Sequence, residues 1–297
     1  MPRIFNSLIS STIFLSFCIV TSTANAQEIK VLHNGITLNA NLQQVDEQPL
    51  QGNVVLFTHG TLAHNGMEII QTLQELLADE EIPSLALNLS LGLDDRHGMY
   101  DCTTPHNHKH TDALDEIEVW RNWLVENGAD TVILAGHSRG GNQTAWYANN
   151  NADKAKAQIL IAPATWSPAI AAKGYKSRYQ QELQPLLAKA DRSNEEQWLK
   201  DTDFIYCENT QVTASSFTSY YKPDPRFDTP TLLKKTSIPS LVIIGSEDNT
   251  VSDLNEKMPD VSNDKVQSVT IEGADHYFRD LYADEVIEHI TEFLEQL

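Results

Sequence analysis

The sequence predicts an α/β fold in which a mostly parallel central sheet is flanked by helices. Apolar, β-branched runs alternate with segments of helical periodicity along most of the chain, which is the pattern of parallel strands joined by right-handed crossovers. One apolar run, 131–135, ends in Gly-His-Ser-Arg-Gly at 136–140, and a helix-compatible segment follows at 143–149. The alternation stops after Ala162 and resumes at Pro239, so we expect an insertion between two strands of one sheet.

Residues 1–26 have the layout of a secretory signal peptide. Arg3 is followed by a largely apolar stretch from Ile4 to Val20 and by Ala-Asn-Ala at 24–26, an A-x-A cleavage site. A transmembrane anchor is the competing interpretation, but the apolar run contains serines and is shorter than the roughly 20 residues that a spanning helix needs. We expect cleavage near Ala26, a mature chain without a membrane span, and a periplasmic or secreted location.

The charge and the cysteines limit the classes of partner and compartment. With 41 acidic against 21 basic residues, the formal net charge is −20. Such a surface repels phosphate backbones, so we do not expect nucleic-acid binding. Removal of the signal would leave Cys102 and Cys207. In an oxidising compartment these two are candidates for a disulfide, with two separate buried thiols as the alternative.

The first half of the mature chain reads as an antiparallel pair followed by alternating strands and helices. The pair spans Glu28 to Val45 and turns at Asn34-Gly35, a strong hairpin signal. After it we expect a buried strand over 53–58, a helix over 68–79, a strand over 83–89, a long loop over 90–110, a helix over 112–125, the strand and helix on either side of Ser138, and a strand over 158–162.

The second half contains the insertion. Residues 163 to about 230 are polar, aromatic-rich and irregular, with helical patches at 175–190 and 193–199. We therefore predict one domain over 27–297 that carries a cap at about 164–230. The aromatic side chains of the cap are candidates for lining a substrate pocket and equally for fixing the cap to the sheet. Strands over 239–245 and 266–271 and a helix over 284–297 complete the domain.

Ser138 is the candidate nucleophile, because a Gly-x-Ser-x-Gly turn between a strand and a helix holds the serine hydroxyl above the sheet edge. A serine needs a base to take its proton and a third group to orient that base. His276, just after the last expected strand, is the best-placed base. Asp248, just after the strand before it, is the best-placed acid, with Glu247 and Asp253 as rivals.

A tetrahedral intermediate also needs backbone N–H donors for its oxyanion. One donor should come from Arg139, the residue after the nucleophile. The other should come from the loop that follows the 53–58 strand, where Thr61 is the first candidate and Leu62 the second. His59 ends that strand, a position that suits a structural hydrogen bond better than a catalytic base.

With Ser138, Asp248 and His276 in this chain order, the sequence resembles the α/β-hydrolase-fold serine hydrolases from about Gln27 to its C-terminus. A cap after the strand that follows the Ser138 helix is also usual in that family. The resemblance implies an α/β-hydrolase fold, attack on a carbonyl, a covalent acyl-enzyme that water hydrolyses, and no metal or organic cofactor.

The resemblance implies a small-molecule acyl substrate, and a carboxylic ester is the leading expectation. A serine peptidase or amidase with the same triad is the alternative, and a non-catalytic binding protein of the same fold is a more distant one. The resemblance identifies neither the subfamily nor the oligomeric state.

The 90–110 loop contains Asp-Arg-His-Gly at 95–98, which is similar to an Asp-x-Arg-Gly-like turn of many α/β-hydrolases. Arg96 is expected to pin the loop through a carboxylate or a carbonyl group. Alternating histidines follow at 106, 108 and 110, and this spacing makes a metal-dependent hydrolase the remaining alternative. We expect this His-rich extension to border the active-site mouth, held by Cys102.

Overall fold

The structure, a computed structural model, describes residues 25–45 and 50–297. The strands in these residues are β1 (Asn25–His33), β2 (Ile36–Gln44), β3 (Asn53–Thr58), β4 (Ser84–Asn88), β5 (Thr131–His137), β6 (Ala157–Ile161), β7 (Trp198–Phe204), β8 (Cys207–Thr213), β9 (Ser240–Gly245) and β10 (Val266–Ile271). The α-helices are α1 (Glu68–Asp79), α2 (Asp112–Glu126), α3 (Arg139–Asn150), α4 (Pro168–Tyr179), α5 (Leu183–Arg192), α6 (Ala214–Tyr221), α7 (Thr229–Leu233), α8 (Leu254–Lys257) and α9 (Leu281–Glu295).

Eight strands form the central sheet in the order β1-β2-β4-β3-β5-β6-β9-β10. Strand β2 is antiparallel to both of its neighbours, and every other pair in this sheet is parallel. The expectation of a mostly parallel sheet is confirmed. Because the parallel strands end at the same edge, the loops after β3, β5, β9 and β10 meet there.

The sheet is covered by helices on both faces because the side chains of each strand alternate between two apolar clusters. In β3, Val55 and Phe57 pack on one face with residues of α1 and α9. Val54 and Leu56 pack on the other face with residues of α2 and α3, including the fully buried Trp120.

The cap lies between β6 and β9. Its core contains aromatic residues of α4 and α6 that pack with residues of β7 and β8, and it extends to Leu62 and Tyr100 of the main domain. Of the two helical patches expected in this segment, the one at 175–190 is divided between α4 and α5, because α4 ends where Gln180 takes a left-handed conformation (φ 56°). The other expectation was wrong. The patch at 193–199 is not helical: α5 ends at Arg192, and the antiparallel β7–β8 hairpin begins at Trp198.

The predicted signal peptide lies outside the described residues up to position 24. Strand β1 begins at Asn25, so cleavage after Ala26 would remove its first two residues. None of the helices in the described part of the chain is both long and apolar enough to cross a membrane.

Candidate active site

Ser138 occupies a sharp turn between β5 and α3. Its backbone is in a positive-φ conformation (φ 58°, ψ −123°), which is uncommon for a residue with a side chain. The turn is fixed by hydrogen bonds from the Ser138 N–H to the Ile161 carbonyl (3.0 Å) and from the Ala164 N–H to the Ser138 carbonyl (2.9 Å). The surrounding backbone therefore determines the strained conformation, as is common for residues at functional sites.

The glycines on either side of Ser138 are required because the turn is tightly packed. A Cβ at Gly136 would lie 2.6 Å from the Gly140 carbonyl oxygen, and a Cβ at Gly140 would collide with the carbonyl groups of Thr58 and His59. These neighbours are backbone atoms, which cannot rotate away as a side chain can. The two glycines thus allow β5, α3 and the end of β3 to approach one another around Ser138.

His276 and Asp248 form a buried pair at the same edge of the sheet. The His276 Nδ1 lies 2.8 Å from the Asp248 Oδ2, and both residues are less than a tenth exposed. The Asp248 Oδ1 accepts hydrogen bonds from the N–H groups of Thr250 (2.7 Å) and Val251 (2.9 Å). Burial raises the pKa of Asp248, but the bonds from His276 and the two N–H groups outweigh it and hold this pKa below its ordinary value.

The rival carboxylates lie elsewhere. Glu247 is exposed, and Asp253 accepts a hydrogen bond from Thr165 and pairs with Lys257. Of the three candidate acids, Asp248 is the one that meets His276.

His137, the second residue of the Gly-His-Ser-Arg-Gly motif, supports the backbone of His276. The His137 Nε2 donates to the His276 carbonyl at 2.8 Å, and the two ring centroids are 4.7 Å apart. Burial, reinforced by His276, lowers the pKa of His137 to about 3. The ring therefore stays neutral at physiological pH, which suits it as a structural donor. No pattern in the sequence indicated this role for His137.

The loop after β3 brings the predicted oxyanion donors close to Ser138. An ideal Cβ on Gly60 would stand 3.2 Å from the Ser138 Cβ, so this loop passes directly beside the serine. In the described residues, the N–H groups of Thr61 and Arg139 donate to no other protein group; for Arg139 this follows from its place in the first turn of α3. The side chains are joined as well, because the Arg139 Nε donates to the Thr61 Oγ1 at 2.8 Å.

His59 has the structural environment that its strand-end position predicted. Its Nδ1 donates to the Gly60 carbonyl (2.9 Å), and its Nε2 accepts from the Leu89 N–H (3.0 Å). Burial and the charge of Arg96 lower the pKa of His59 to about 3. Arg96 is itself buried and donates to the carbonyls of Leu89 (2.7 Å) and Ala63 (2.8 Å). Arg96 thus ties the 90–110 loop to the loop after β3 through hydrogen bonds to carbonyl groups.

The alternating histidines of that loop are all buried, and their rings bond to protein groups. The Nδ1 of His106 is 3.1 Å from the Nε2 of His108, and the Nδ1 of His108 is 2.8 Å from the Tyr220 hydroxyl. His110 instead bonds to Asn142, with its Nε2 3.2 Å from the amide oxygen. These contacts fasten the loop to the cap and to α3.

In the part of the chain that the structure describes, one group of three side chains has its potential ligand atoms close enough together to hold a metal ion. These side chains are Glu28, Asp95 and His97. The group does not include the alternating histidines. The Lys30 ammonium lies 2.5 Å from Asp95 and 3.4 Å from Glu28, so a side-chain cation already pairs with both carboxylates of this surface cluster.

Cys102 and Cys207 are joined by a disulfide with a Cα–Cα distance of 5.2 Å. The bond links the His-rich loop to the first residue of β8 and so connects the main domain to the cap. Cys102 also lines the cavity that contains Ser138, so the middle of the 90–110 loop borders that cavity.

One cavity of about 570 Å³ contains Ser138, His276 and Thr61 in its lining. Apolar side chains from the start of α1, Met67, Ile69 and Ile70, form part of its wall. Among the cap aromatics, Tyr206 lines the cavity, whereas most of the others pack in the cap core. This cavity, referred to below as the active-site cavity, holds the candidate nucleophile, base and oxyanion donor together.

Comparison with known proteins agrees with this fold. A family model described as "Alpha/beta hydrolase family" matches residues 55–289. Comparison with curated protein sequences finds no match.

Among solved structures, the chain is similar to Est1E from Butyrivibrio proteoclasticus with ferulic acid bound, at a TM-score of 0.66 and 19% identity over 90% of this chain and 99% of that one. It is also similar to the hydrolase GrgF from Penicillium sp. sh18 (TM-score 0.66, 14% identity, 92% and 98% coverage). A third similar structure is the esterase Pf2001 of Pyrococcus furiosus (TM-score 0.59, 15% identity, 92% and 93% coverage). At these identities the likeness shows the fold.

Proposed function

The chain belongs to the alpha/beta hydrolase family, and from that premise we propose that it is a serine hydrolase that cleaves carboxylic esters through Ser138, His276 and Asp248. The observation that carries the proposal is the convergence of these residues. The buried Asp248–His276 pair and the strained Ser138 turn meet at one cavity, although the three residues come from three separate loops.

In the proposed reaction, the Ser138 hydroxyl attacks the ester carbonyl while the His276 Nε2 takes its proton. Asp248 holds the His276 Nδ1–H, which fixes the tautomer that leaves Nε2 free to accept. The N–H groups of Thr61 and Arg139 would hold the oxyanion of the tetrahedral intermediate. His276 then returns the proton to the leaving alcohol, and water activated by the same histidine hydrolyses the acyl-enzyme.

The direct test is labelling of the purified protein with a fluorophosphonate probe, followed by peptide mapping. We expect one label, on Ser138, and hydrolysis of p-nitrophenyl butyrate that falls by at least ~10³-fold in Ser138→Ala. Equal activity in the two proteins would refute the assignment of the nucleophile. Activity that disappears in EDTA while the probe fails to react would favour a metal-dependent hydrolase instead.

A matched pair of substrates separates the esterase from the alternative amidase or peptidase. Butyryl p-nitroanilide has the acyl group of the ester but an amine as leaving group, whose expulsion requires protonation. Ser138-dependent cleavage of the anilide would select the amidase, whereas cleavage of the ester alone would favour the esterase. If neither is cleaved and no probe reacts, the non-catalytic binding protein becomes the better account.

We also propose that the protein is exported after cleavage near Ala26 and that residues 27–297 form the mature domain with its cap. The Cys102–Cys207 disulfide supports this, because such bonds persist in oxidising compartments. N-terminal sequencing of protein from a periplasmic or culture-medium fraction should find a mature terminus near Gln27. Recovery of the intact Met1 terminus would refute it.

A further inference from the structure

The cap contributes Arg178 and Tyr206 to the lining of the active-site cavity. The two side chains are stacked, with the Arg178 guanidinium carbon 4.0 Å from the centroid of the Tyr206 ring. Arg178 comes from the last turn of α4, and Tyr206 comes from the turn between β7 and β8. The cap therefore presents to the cavity a cation that lies over an aromatic face.

The turn that carries Tyr206 departs from ordinary hairpin chemistry. It has two residues, Ile205 and Tyr206, and both have positive φ angles (30° and 76°). Such turns strongly favour Asn-Gly or similar pairs, because a bulky residue with positive φ is an outlier. An outlier of this kind at the rim of a catalytic cavity indicates that its side chain has a function there.

The turn is held by contacts that leave the Tyr206 ring in place. The Tyr206 N–H donates to the Tyr179 hydroxyl at 2.7 Å, and the Ile205 N–H donates to the Tyr221 hydroxyl at 3.1 Å. The next residue, Cys207, is anchored by the disulfide to Cys102. The platform under Arg178 is thus fixed both to α4 and to the main domain.

Arg178 gives the cavity its permanent charge. The described residues that line the cavity include no aspartate, glutamate or lysine, and the buried His59 and His137 are neutral at physiological pH. The lining of the active-site cavity is therefore positively charged, although the protein as a whole has a net charge of −20. An isolated positive charge there would attract an anion against the field of the surrounding surface.

Arg178 also has no carboxylate partner in the described part of the chain. Other cations of the cap are paired, as Lys176 is with Glu182 (2.5 Å) and Arg226 with Asp224 (2.6 Å). No carboxylate oxygen of residues 25–45 or 50–297 lies within 4.0 Å of the Arg178 guanidinium. Arg178 also interacts with the Tyr179 hydroxyl, and the other N–H donors of its guanidinium remain available to a ligand in the cavity.

We propose that Arg178 recognises a carboxylate of the substrate, so that the preferred substrates are esters with an apolar body and one carboxylate group. This inference rests on the proposed esterase function and names the substrate class of the same site. A planar guanidinium matches a planar carboxylate with two parallel hydrogen bonds. A single cation suits a monoanion better than a phosphate dianion, and the apolar wall formed by Met67, Ile69 and Ile70 suits a hydrocarbon body.

The test uses two pairs of esters that differ in one charge. In the first pair the carboxylate is on the alcohol part: 4-(butanoyloxy)benzoate against its methyl ester. In the second it is on the acyl part: monomethyl adipate against methyl hexanoate. The measured quantity is the ratio of kcat/KM for the anionic ester to kcat/KM for the neutral one, in wild type and in Arg178→Gln.

We expect Arg178→Gln to lower this ratio about 10-fold in at least one pair of esters. This is the low end of the effect of a hydrogen bond to a charged group, because Arg178 is exposed to solvent. The neutral esters should be hydrolysed at nearly the wild-type rate, which also shows that the variant folds. Arg178→Lys should retain only part of the preference, since lysine lacks the fork and the flat face. Lys176→Gln removes a charge from the same helix outside the cavity and should leave the ratio unchanged.

The failure of this inference differs from the failure of the proposed function. If neutral esters are hydrolysed in a Ser138-dependent way and the ratio is the same in wild type and Arg178→Gln for both pairs, Arg178 does not select the substrate and the esterase proposal stands. If no ester of either pair is hydrolysed in a Ser138-dependent way, the esterase proposal fails and the inference fails with it.

Discussion

The hydrogen bond from the Arg139 Nε to the Thr61 Oγ1 (2.8 Å) connects the two backbone segments that would supply the oxyanion donors. Arg139 begins α3, and Thr61 lies in the loop after β3, so the bond sets the distance between their N–H groups. We predict that Thr61→Val, which keeps the backbone N–H and the branched shape, lowers kcat by loosening this arrangement. Arg139→Met should have a similar effect from the other side.

The magnitude follows from the kind of contact. A hydrogen bond from a charged donor is worth about 1.5–3 kcal/mol, and loss of an entire oxyanion donor costs about 10²–10³ in kcat. Thr61→Val leaves the donor in place but less well positioned, so we expect about a 10-fold loss of kcat with little change in KM. Arg139 also lies 3.4 Å from the His110 Nδ1 and packs over the Tyr220 ring, so Arg139→Met should lose somewhat more.

The assay is a double-mutant cycle on kcat for p-nitrophenyl butyrate, with the melting temperature of each variant measured alongside. Because both single changes remove the same bond, the double variant should lose less than the sum, with a coupling of about 1 kcal/mol. Thr250→Val is the matched control, since Thr250 lines the same cavity and supports Asp248 through its backbone N–H. Additive losses, or a fall in stability with kcat unchanged, would refute the positioning role.

Two further predictions concern stability. The Cys102–Cys207 bond closes a sequence separation of 105 residues, so the Cys102→Ser/Cys207→Ser variant should lose about 4–5 kcal/mol in denaturant unfolding; a loss below about 1 kcal/mol would contradict this. Burial raises the pKa of Glu116 to about 7 against the hydrogen bonds from Ser90, from an ordinary 4.5. Between pH 4.5 and pH 7, Glu116 ionises in the unfolded chain but not in the folded one. Its contribution to the free energy of unfolding is therefore complete below pH 4.5, and about 3 kcal/mol of it is lost as the pH rises through 7. Glu116→Gln should flatten the fall in melting temperature between pH 5 and pH 8, whereas parallel profiles would refute the assignment.

The sequence predicted the bounds of helices and strands best where the hydrophobic pattern of a segment agrees with its burial in the fold. The helix predicted at 68–79 and the buried strand predicted at 53–58 have the same bounds in α1 and β3, as does the edge strand predicted at 266–271, which is β10. The other core elements differ by a few residues, mostly at helix ends. Buried parallel strands are continuous apolar runs, and the helices between them have one apolar face, so both signals survive without knowledge of the tertiary contacts.

Part of the candidate site was predictable for a topological reason. Ser138, Asp248 and His276 each follow a strand of the parallel sheet, and such strands end at a common edge, so the three loops must meet. The His137–His276 bond joins residues 139 positions apart, and the Arg139–Thr61 bond joins residues 78 apart. No periodicity or turn signal encodes which side chains cross such distances, and these contacts needed the structure.

The cap hairpin shows why local rules fail at particular places. The β1–β2 hairpin was predictable because Asn34-Gly35 satisfies the positive φ angles of its turn (48° and 84°) at little cost. The β7–β8 turn requires the same backbone geometry but carries Ile205 and Tyr206, which signal a strand and not a turn. Glycine at position 206 would relieve the backbone but would also remove the ring that supports Arg178. With tyrosine at this position, the chain goes against the residue preference of the turn at the rim of the active-site cavity. Such a departure is expected where a side chain serves the ligand and not the fold.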